Sequence, residues 1–246
     1  MENARQNTAH LAVRELWRLG LLSAVVTQNV DSLHRPGEGM EVVELHGTLR
    51  EIVCLGCGHK LSRTEFQRLL AGLNPEWVRL MEQGRVEVRT NPDGDVDVPG
   101  VEYAQFQYPP CPKCMQRHPG VVDSEGGFRP PHTGEEQLKG VLKPCVTFFG
   151  ESVAAHVKAR AEELVEEAAA VLVVGTSLAT YSAWRLVREA DRRGKGIGLV
   201  NLGGVRGEEG FFVGGGGGRE RVRLEFGATP MLTGVVNALG GRVEGV

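Results

Sequence analysis

Two kinds of hydrophobic pattern alternate along this chain, and a long stretch with neither lies between them. From Asn7 to Leu19, Ala9, Leu11, Ala12, Leu16 and Leu19 recur at helical spacing, with Asn7 and Thr8 as caps and Gly20 as the stop. That pattern predicts a helix packed on a core. Ser23-Ala-Val-Val-Thr-Gln-Asn29 is a short apolar run ending in polar residues, as in a buried parallel strand that delivers side chains to a site. Late in the chain the spacing predicts a helix over Val153–Ala170, a strand over Val171–Gly175, a helix over Tyr181–Arg193 and a strand over Ile197–Asn201. Strand, helix and strand in alternation predict an α/β fold, a Rossmann-like parallel sheet with helices on both faces. Gly203–Gly218 holds nine glycines and reads as a flexible loop. Arg221–Phe226 reads as a last strand and Thr229–Leu239 as a closing helix, and no internal repeat is visible.

Between Thr48 and about Leu142, cysteine pairs, glycine, proline and charge replace periodic apolar patterns. The chain therefore reads as two domains, residues 1–47 with 143–246 forming the α/β domain and 48–142 a smaller inserted zinc-ribbon module. Within the insert, residues 90–100 and 120–134 read as turn-rich loops. Composition narrows the classes further. In 246 residues, 28 basic groups face 31 acidic ones, so there is no strong electrostatic footprint for nucleic acid or anionic membrane, and any such role would have to be local. No window approaches the roughly 18 apolar residues that span a bilayer, and Met1–His10 carries no signal core or basic amphipathic presequence.

Of five cysteines, four form two Cys-x-x-Cys pairs, Cys54 with Cys57 and Cys111 with Cys114. Each pair puts two thiolates in one tight turn, which lets four sulfurs close a tetrahedron round Zn. With no position left open, such an ion holds structure and does no chemistry. A redox dithiol is the rival reading. His59, His118 and His132 could substitute as ligands but read more simply as solvated loop side chains.

Gln28, Asn29, Val30 and Asp31 follow the first predicted strand, and His46 lies in Glu44-Leu-His-Gly47. Asn29 and Asp31 could serve only as Asx-turn caps, and His46 alone could be a satisfied interior histidine. Gly175-Thr176-Ser177 and Asn201-Leu202-Gly203 end two later strands, where backbone amides and helix N-termini receive nucleotides in folds of this kind. Their combination favours a site.

Taken together, Thr27-Gln-Asn-Val-Asp-Ser-Leu-His34, Glu44-Leu-His-Gly47, the four cysteines, Leu142-Lys-Pro-Cys-Val-Thr-Phe-Phe-Gly-Glu151, Val174-Gly-Thr-Ser-Leu178 and Val200-Asn201 resemble a sirtuin, an NAD-dependent protein deacylase. The Asn-Pro-Asp-Gly-Asp insertion and Asn201–Arg206 are similar to the mitochondrial class II branch, especially its sirtuin-four type. The resemblance makes His46 the general base and assigns Gln28, Asn29, Val30 and Asp31 to the nicotinamide ribose pocket. Gly175, Thr176, Ser177, Asn201, Leu202 and Gly203 would line the adenosine side, with the Phe226 backbone at adenine. Val146, Phe148, Phe149, Gly150 and Glu151 would pair with the substrate peptide as an added strand.

The implied reaction has the acyl-lysine oxygen attack the ribose carbon that bears nicotinamide. His46 then takes a ribose hydroxyl proton, giving free lysine, nicotinamide and O-acyl-ADP-ribose. Acetyl, lipoyl or biotinyl lysines are the implied substrates. Alternatives are mono-ADP-ribosyl transfer to protein and a non-catalytic, zinc-bearing peptide binder. The resemblance further implies NAD as co-substrate, one structural Zn, acyl-lysine proteins as partners, no nucleic acid or membrane partner, a monomer, and the mitochondrial matrix.

Two departures stand out. The family opens with a strand and a Gly-Ala-Gly-type turn that cradles pyrophosphate, whereas no glycine precedes Gly20. The expectation is either a truncated record or a shortened protein, and weakened NAD binding. Cys145 stands where the family pattern has Asp, His or Asn, and reads as a small packed residue or, less simply, a reactive thiol.

Overall fold

The computed structural model describes residues 4–34, 39–83, 89–90, 96–97, 106–117, 139–212 and 220–243. They form two compact units, 1–48 with 147–246, and 49–146.

The larger unit begins with α1 (Thr8–Arg18), whose cap is built locally: the Asn7 side chain accepts from the His10 amide, and the His10 ring bonds the Asn7 backbone. Strand β1 (Ala24–Thr27) pairs in parallel with β2 (Glu41–Glu44), so that Thr27 lies opposite Glu44. After α5 (Ala155–Glu167) come β8 (Ala170–Val174), α6 (Tyr181–Arg192) and β9 (Gly196–Val200). The short α7 (Glu208–Phe212), β10 (Arg221–Leu224) and α8 (Ala228–Ala238) complete it. Strands β8, β9 and β10 form a parallel sheet in the order β10-β9-β8.

Adjacent residues of β8 show how the layers arise. Val173 packs with Ala161, Leu164 and Val165 of α5 and Leu186 and Val187 of α6, while Val174 packs with Ala12 and Leu16 of α1 and Leu232 and Val236 of α8. Because side chains alternate along a strand, helices cover both faces. The α6 stripe Ala183, Leu186, Val187 and Ala190 is wholly buried, as amphipathic periodicity requires. Leu199 at 0% exposure lies at the centre of this core.

The smaller unit consists of β3 (Gly47–Cys54, entering from the larger unit), β4 (Lys60–Ser62), α2 (Arg63–Leu73), α3 (Pro75–Glu82), β5 (Arg89–Thr90), β6 (Val96–Asp97), α4 (Pro112–Arg117) and β7 (Leu142–Val146). Strands β4, β3 and β7 form one sheet, and β5 and β6 an antiparallel pair. Ile52, Leu61 and Phe66 form its apolar cluster.

Three expectations change. The 48–142 stretch carries helices α2 and α3, which short apolar patterns had hidden, and the short α4. Asn74 joins α2 to α3, at once the C-cap of the first and N-cap of the second. The glycine-rich 203–218 segment is not wholly loop, because α7 forms where Phe211 buries its ring to 5% exposure. The 90–100 insertion contributes a strand pair at its described residues. The 120–134 loop, His118, His132 and Gly214–Gly218 lie outside the described residues.

Candidate active site and metal centre

In the larger unit, the carboxyl ends of the parallel strands are tied together by side chains. Gln28, just past β1, donates from its amide to Thr176 Oγ1 at 2.9 Å, and its carbonyl accepts from the Thr180 hydroxyl at 2.9 Å. Thr180 is the N-cap residue of α6 and makes no side-chain cap to its own helix. Its hydroxyl serves β1 instead. Thr176 Oγ1 also accepts from the Leu178 amide at 3.1 Å, closing the β8–α6 turn, in which Gly175 and Leu178 take positive φ of 62° and 54°.

His46 lies between β2 and β3. Its main chain is fixed on both sides, since Leu45 N–H donates to the Thr27 carbonyl at 2.8 Å and the His46 carbonyl accepts from Thr147 N–H at 2.9 Å. The half-buried imidazole places Nε2 2.8 Å from Ser182 Oγ, on the first turn of α6. Sequence reasoning missed Ser182 and Thr180. The visible signal for either was a hydroxyl at the start of a helix that follows a strand-end turn.

The 27–34 segment divides between scaffold and surface. Asp31 is in part the Asx-turn foreseen above, its carboxylate accepting from Leu33 N–H at 2.9 Å. Ser32, at φ 54°, bonds Glu44 and, at 2.7 Å, Thr48. Asn29 N–H donates to Thr27 Oγ1 at 3.1 Å while its side chain stands exposed, and Val30 is half-buried. His34 stacks on His10 with ring centroids 4.6 Å apart. Burial, then neighbouring His10, hold the His34 pKa below the usual histidine value against the opposing pull of Asp31.

At the β9 end, Asn201 donates to the Gly203 carbonyl at 3.0 Å, and Arg223 donates to the carbonyls of Asn201 and Gly203 at 2.9 and 2.8 Å. Leu202 is exposed. Arg206 N–H donates to the Ser177 carbonyl at 2.8 Å, and its guanidinium stacks 4.7 Å over the Trp184 ring. Thus Gly175, Thr176, Ser177, Asn201 and Gly203 are gathered at neighbouring strand ends. A Cβ at Gly175 would come 4.0 Å from Ala228, which follows the exposed Phe226 by two residues. A cavity of about 780 Å³ opens beside β9, lined in part by Gly204, Glu208, Phe212 and Arg223; His46 is not among its walls.

Next to His46, Thr147 leads into the Phe148–Glu151 turn, in which the Glu151 carboxylate accepts from Phe148 N–H at 2.9 Å and Gly150 has φ 89°. Phe148 and Phe149 are exposed. Val146 ends β7 in the smaller unit.

The metal centre lies in the smaller unit. Cys54, Cys57, Cys111 and Cys114 bring their sulfurs within 4.8 Å of one another. Cys54 Sγ is 3.6 Å from Cys114 Sγ, and Cys57 Sγ 3.7 Å from Cys111 Sγ. A tetrahedron with Zn–S bonds of about 2.3 Å has edges of about 3.8 Å, so the four thiols fit one Zn ion. Asn74 organises the approach to Cys111, exchanging two 2.8 Å bonds with the Gln107 backbone. Burial pushes the Cys111 thiol up to about 12. Cys145 is half-buried, and burial raises its thiol pKa above the usual range, against Lys60.

Comparison with known proteins agrees with this arrangement. The Sir2 family model matches residues 1–182. The chain belongs to the Sir2 family. A Sir2-family relative from Batrachochytrium dendrobatidis, named NAD-dependent protein deacylase SIR4, is 38% identical over 218 residues, 85% of this chain and 63% of its own length. An NAD-dependent protein deacetylase from Xanthomonas axonopodis pv. citri is 39% identical over 84% of this chain and 60% of its own. The chain thus spans less than two thirds of these relatives. A solved Sir2 homologue–NAD complex superposes with TM-score 0.60 at 24% identity, over 97% of this chain and 66% of that one. That likeness carries the fold, and the Rossmann-like sheet with helices on both faces, plus a zinc module, is borne out. Among the described residues, no helix is long and apolar enough to cross a membrane.

Proposed function

We propose that this chain performs NAD-dependent removal of acyl groups from protein lysines, with His46 as the general base. The observation that carries the reading is that a half-buried imidazole, fixed through its backbone, faces the α6 N-terminal turn, where the β1 and β8 ends are tied together by Gln28, Thr176 and Thr180. The Sir2-family relatives named deacylase and deacetylase support it.

The donor set fits a dinucleotide. Hydroxyls of Thr176 and Ser177, the Asn201 amide and the Gly175 and Gly203 backbone stand at carboxyl ends of parallel strands, and α6 keeps its first-turn amides without a side-chain cap. NAD, when bound, supplies an electrophilic ribose carbon with nicotinamide as its leaving group. Gln28, Asn29, Val30 and Asp31 would form the nicotinamide ribose pocket. Leu202 and the Phe226 backbone border the adenosine side. The exposed Phe148–Glu151 segment and Val146 offer backbone to the acyl-lysine peptide as an added strand. His46 accepts the proton of a sugar hydroxyl so that this oxygen can capture the acyl carbon. Zinc holds the smaller domain together and takes no part in the chemistry.

The finer reading is a sirtuin-four-like enzyme of the mitochondrial matrix, working as a monomer and accepting lipoyl- or biotinyl-lysine beside acetyl-lysine. It rests on the class II resemblance of the 201–206 segment and the insertion. The test incubates the chain with labelled NAD and acetyl-, lipoyl- and biotinyl-lysine peptides. Free lysine peptide with equimolar nicotinamide and O-acyl-ADP-ribose is the expected outcome. Label transferred to protein without peptide deacylation would establish ADP-ribosyl transfer instead, and unconsumed NAD would leave a peptide binder.

A further inference from the structure

The imidazole of His46 has one side-chain hydrogen-bond partner among the described residues, the Ser182 hydroxyl, 2.8 Å from Nε2 and 136 positions away in sequence. The two are anchored independently. The His46 backbone is held by the Thr27–Leu45 and His46–Thr147 bonds, and Leu45 beside it is 1% exposed. Ser182 lies in the first turn of α6, next to Ala183 at 7% exposure, and that turn is held to β1 by the Thr180–Gln28 bond. Fixing the backbone of His46 leaves both side-chain torsions of its ring free, and a half-buried imidazole without a partner would sample several orientations. The serine removes that freedom.

We infer that Ser182 is a positioning residue for His46, orienting the ring. A hydroxyl suits the task because it both donates and accepts. It donates to an unprotonated Nε2 and accepts from Nε2–H, so the ring can gain or lose a proton without turning. Ser182 is the one described side chain that bonds the ring, so its hydroxyl fixes the ring's orientation. Replacing the serine by alanine leaves the ring without it, whereas threonine keeps the hydroxyl. The kinetic consequence rests on the deacylase reading, in which His46 is the base, but the structural claim does not.

Two readouts on the full chain separate these. In long-range ¹H–¹⁵N spectra of histidine-labelled protein, assigned with His46→Ala, Ser182→Ala is expected to shift the His46 ring signals while the other histidines stay in place. Ser182→Thr is expected to return them to the wild-type position. With NAD and an acetyl-lysine peptide, Ser182→Ala is expected to lower kcat on the order of 10-fold, with both KM values changed less than about 2-fold, and threonine to recover most of the loss. Unmoved His46 signals in Ser182→Ala would overturn the inference, as would a loss of kcat that threonine fails to recover. If the wild-type chain turns over no acyl peptide, the deacylase reading fails, and the ring spectra alone decide the role of Ser182.

Discussion

Converting Cys111 to serine tests whether metal or apolar packing holds the smaller domain. Cys111 is 0% exposed and closes one edge of the sulfur tetrahedron with Cys57 at 3.7 Å. Among its described residues the domain buries one apolar cluster, Ile52, Leu61 and Phe66, and a second made of Cys54, Cys111 and Cys114 with Leu142 against it. Each fully buried apolar side chain contributes about 1.5–3 kcal/mol, whereas a structural Zn site is worth about 10–16 kcal/mol in apparent folding free energy. The metal is therefore the larger contribution, and losing one of four thiolates should unfold the domain. Trp77, edge-on to Phe106 at 5.0 Å, reports on it, while Trp17 and Trp184 belong to the larger unit. In ¹⁹F spectra of the 5-fluorotryptophan-labelled chain, Cys111→Ser or chelation should collapse the Trp77 resonance to its unfolded position and leave the other two dispersed. A dispersed Trp77 signal at zero zinc content would refute the argument. Because burial holds the metal-free Cys111 thiol at about 12, zinc uptake must release protons, and affinity should fall as pH is lowered.

Three further outcomes can be checked. His46→Ala should cut deacylation at least about 100-fold with an unchanged circular dichroism spectrum, because the ring bonds only Ser182 among the described side chains; a retained rate would remove His46 as the base. His34, whose pKa is lowered by burial and by His10, folds best as the neutral ring. Its contribution is fully present above the unfolded value of about 6.5 and is lost as pH falls through the lower folded value, by at most about 1.4 kcal/mol per pH unit. Urea melts of His34→Gln should show a flatter dependence between pH 7 and 5, and an unchanged slope would discount the stacked pair. Gly207 has φ 74°, and a Cβ there would stand 2.8 Å from Trp184 Nε1, so Gly207→Ala should cost at least about 1–2 kcal/mol in denaturant unfolding.

What was legible in the sequence follows from where each signal resides. Strands β8 and β9 are short runs of apolar residues, β9 burying Ile197, Leu199 and Val200, and α6 carries its apolar stripe at strict helical spacing. Such patterns are local. Strand β2 escaped because it is only Glu-Val-Val-Glu, and charged ends argue against a strand at the edge of a core. The first of those charges is answered from far away, by a two-bond pairing of Glu41 with Arg160 on α5 at 2.7 and 2.8 Å. Helices α2 and α3 escaped because together they bury only Phe66, too little periodicity to register. In the glycine-rich segment, α7 depends on Phe211 reaching the core and on the Glu208–Arg223 pair, both contacts with elements elsewhere in the chain.

The candidate site divides along the same line. Its motifs stand out as polar residues at the ends of apolar runs, since a strand end is the one place where a buried element can present polar groups to a ligand. How those ends are joined is a different matter. Gln28 reaches Thr176 and Thr180, and His46 reaches Ser182, across separations of 148, 152 and 136 residues. Each of these partners is a hydroxyl in or beside the turn that starts α6, where serine and threonine are commonplace caps and attract no notice. The same ties add α6 to the direct β1–β2 pairing that holds the β1 loop and the His46 turn in register. A change that shifts the first turn of α6 would therefore disturb Gln28 and His46 together, whereas a change confined to the exposed Phe149 ring would reach neither.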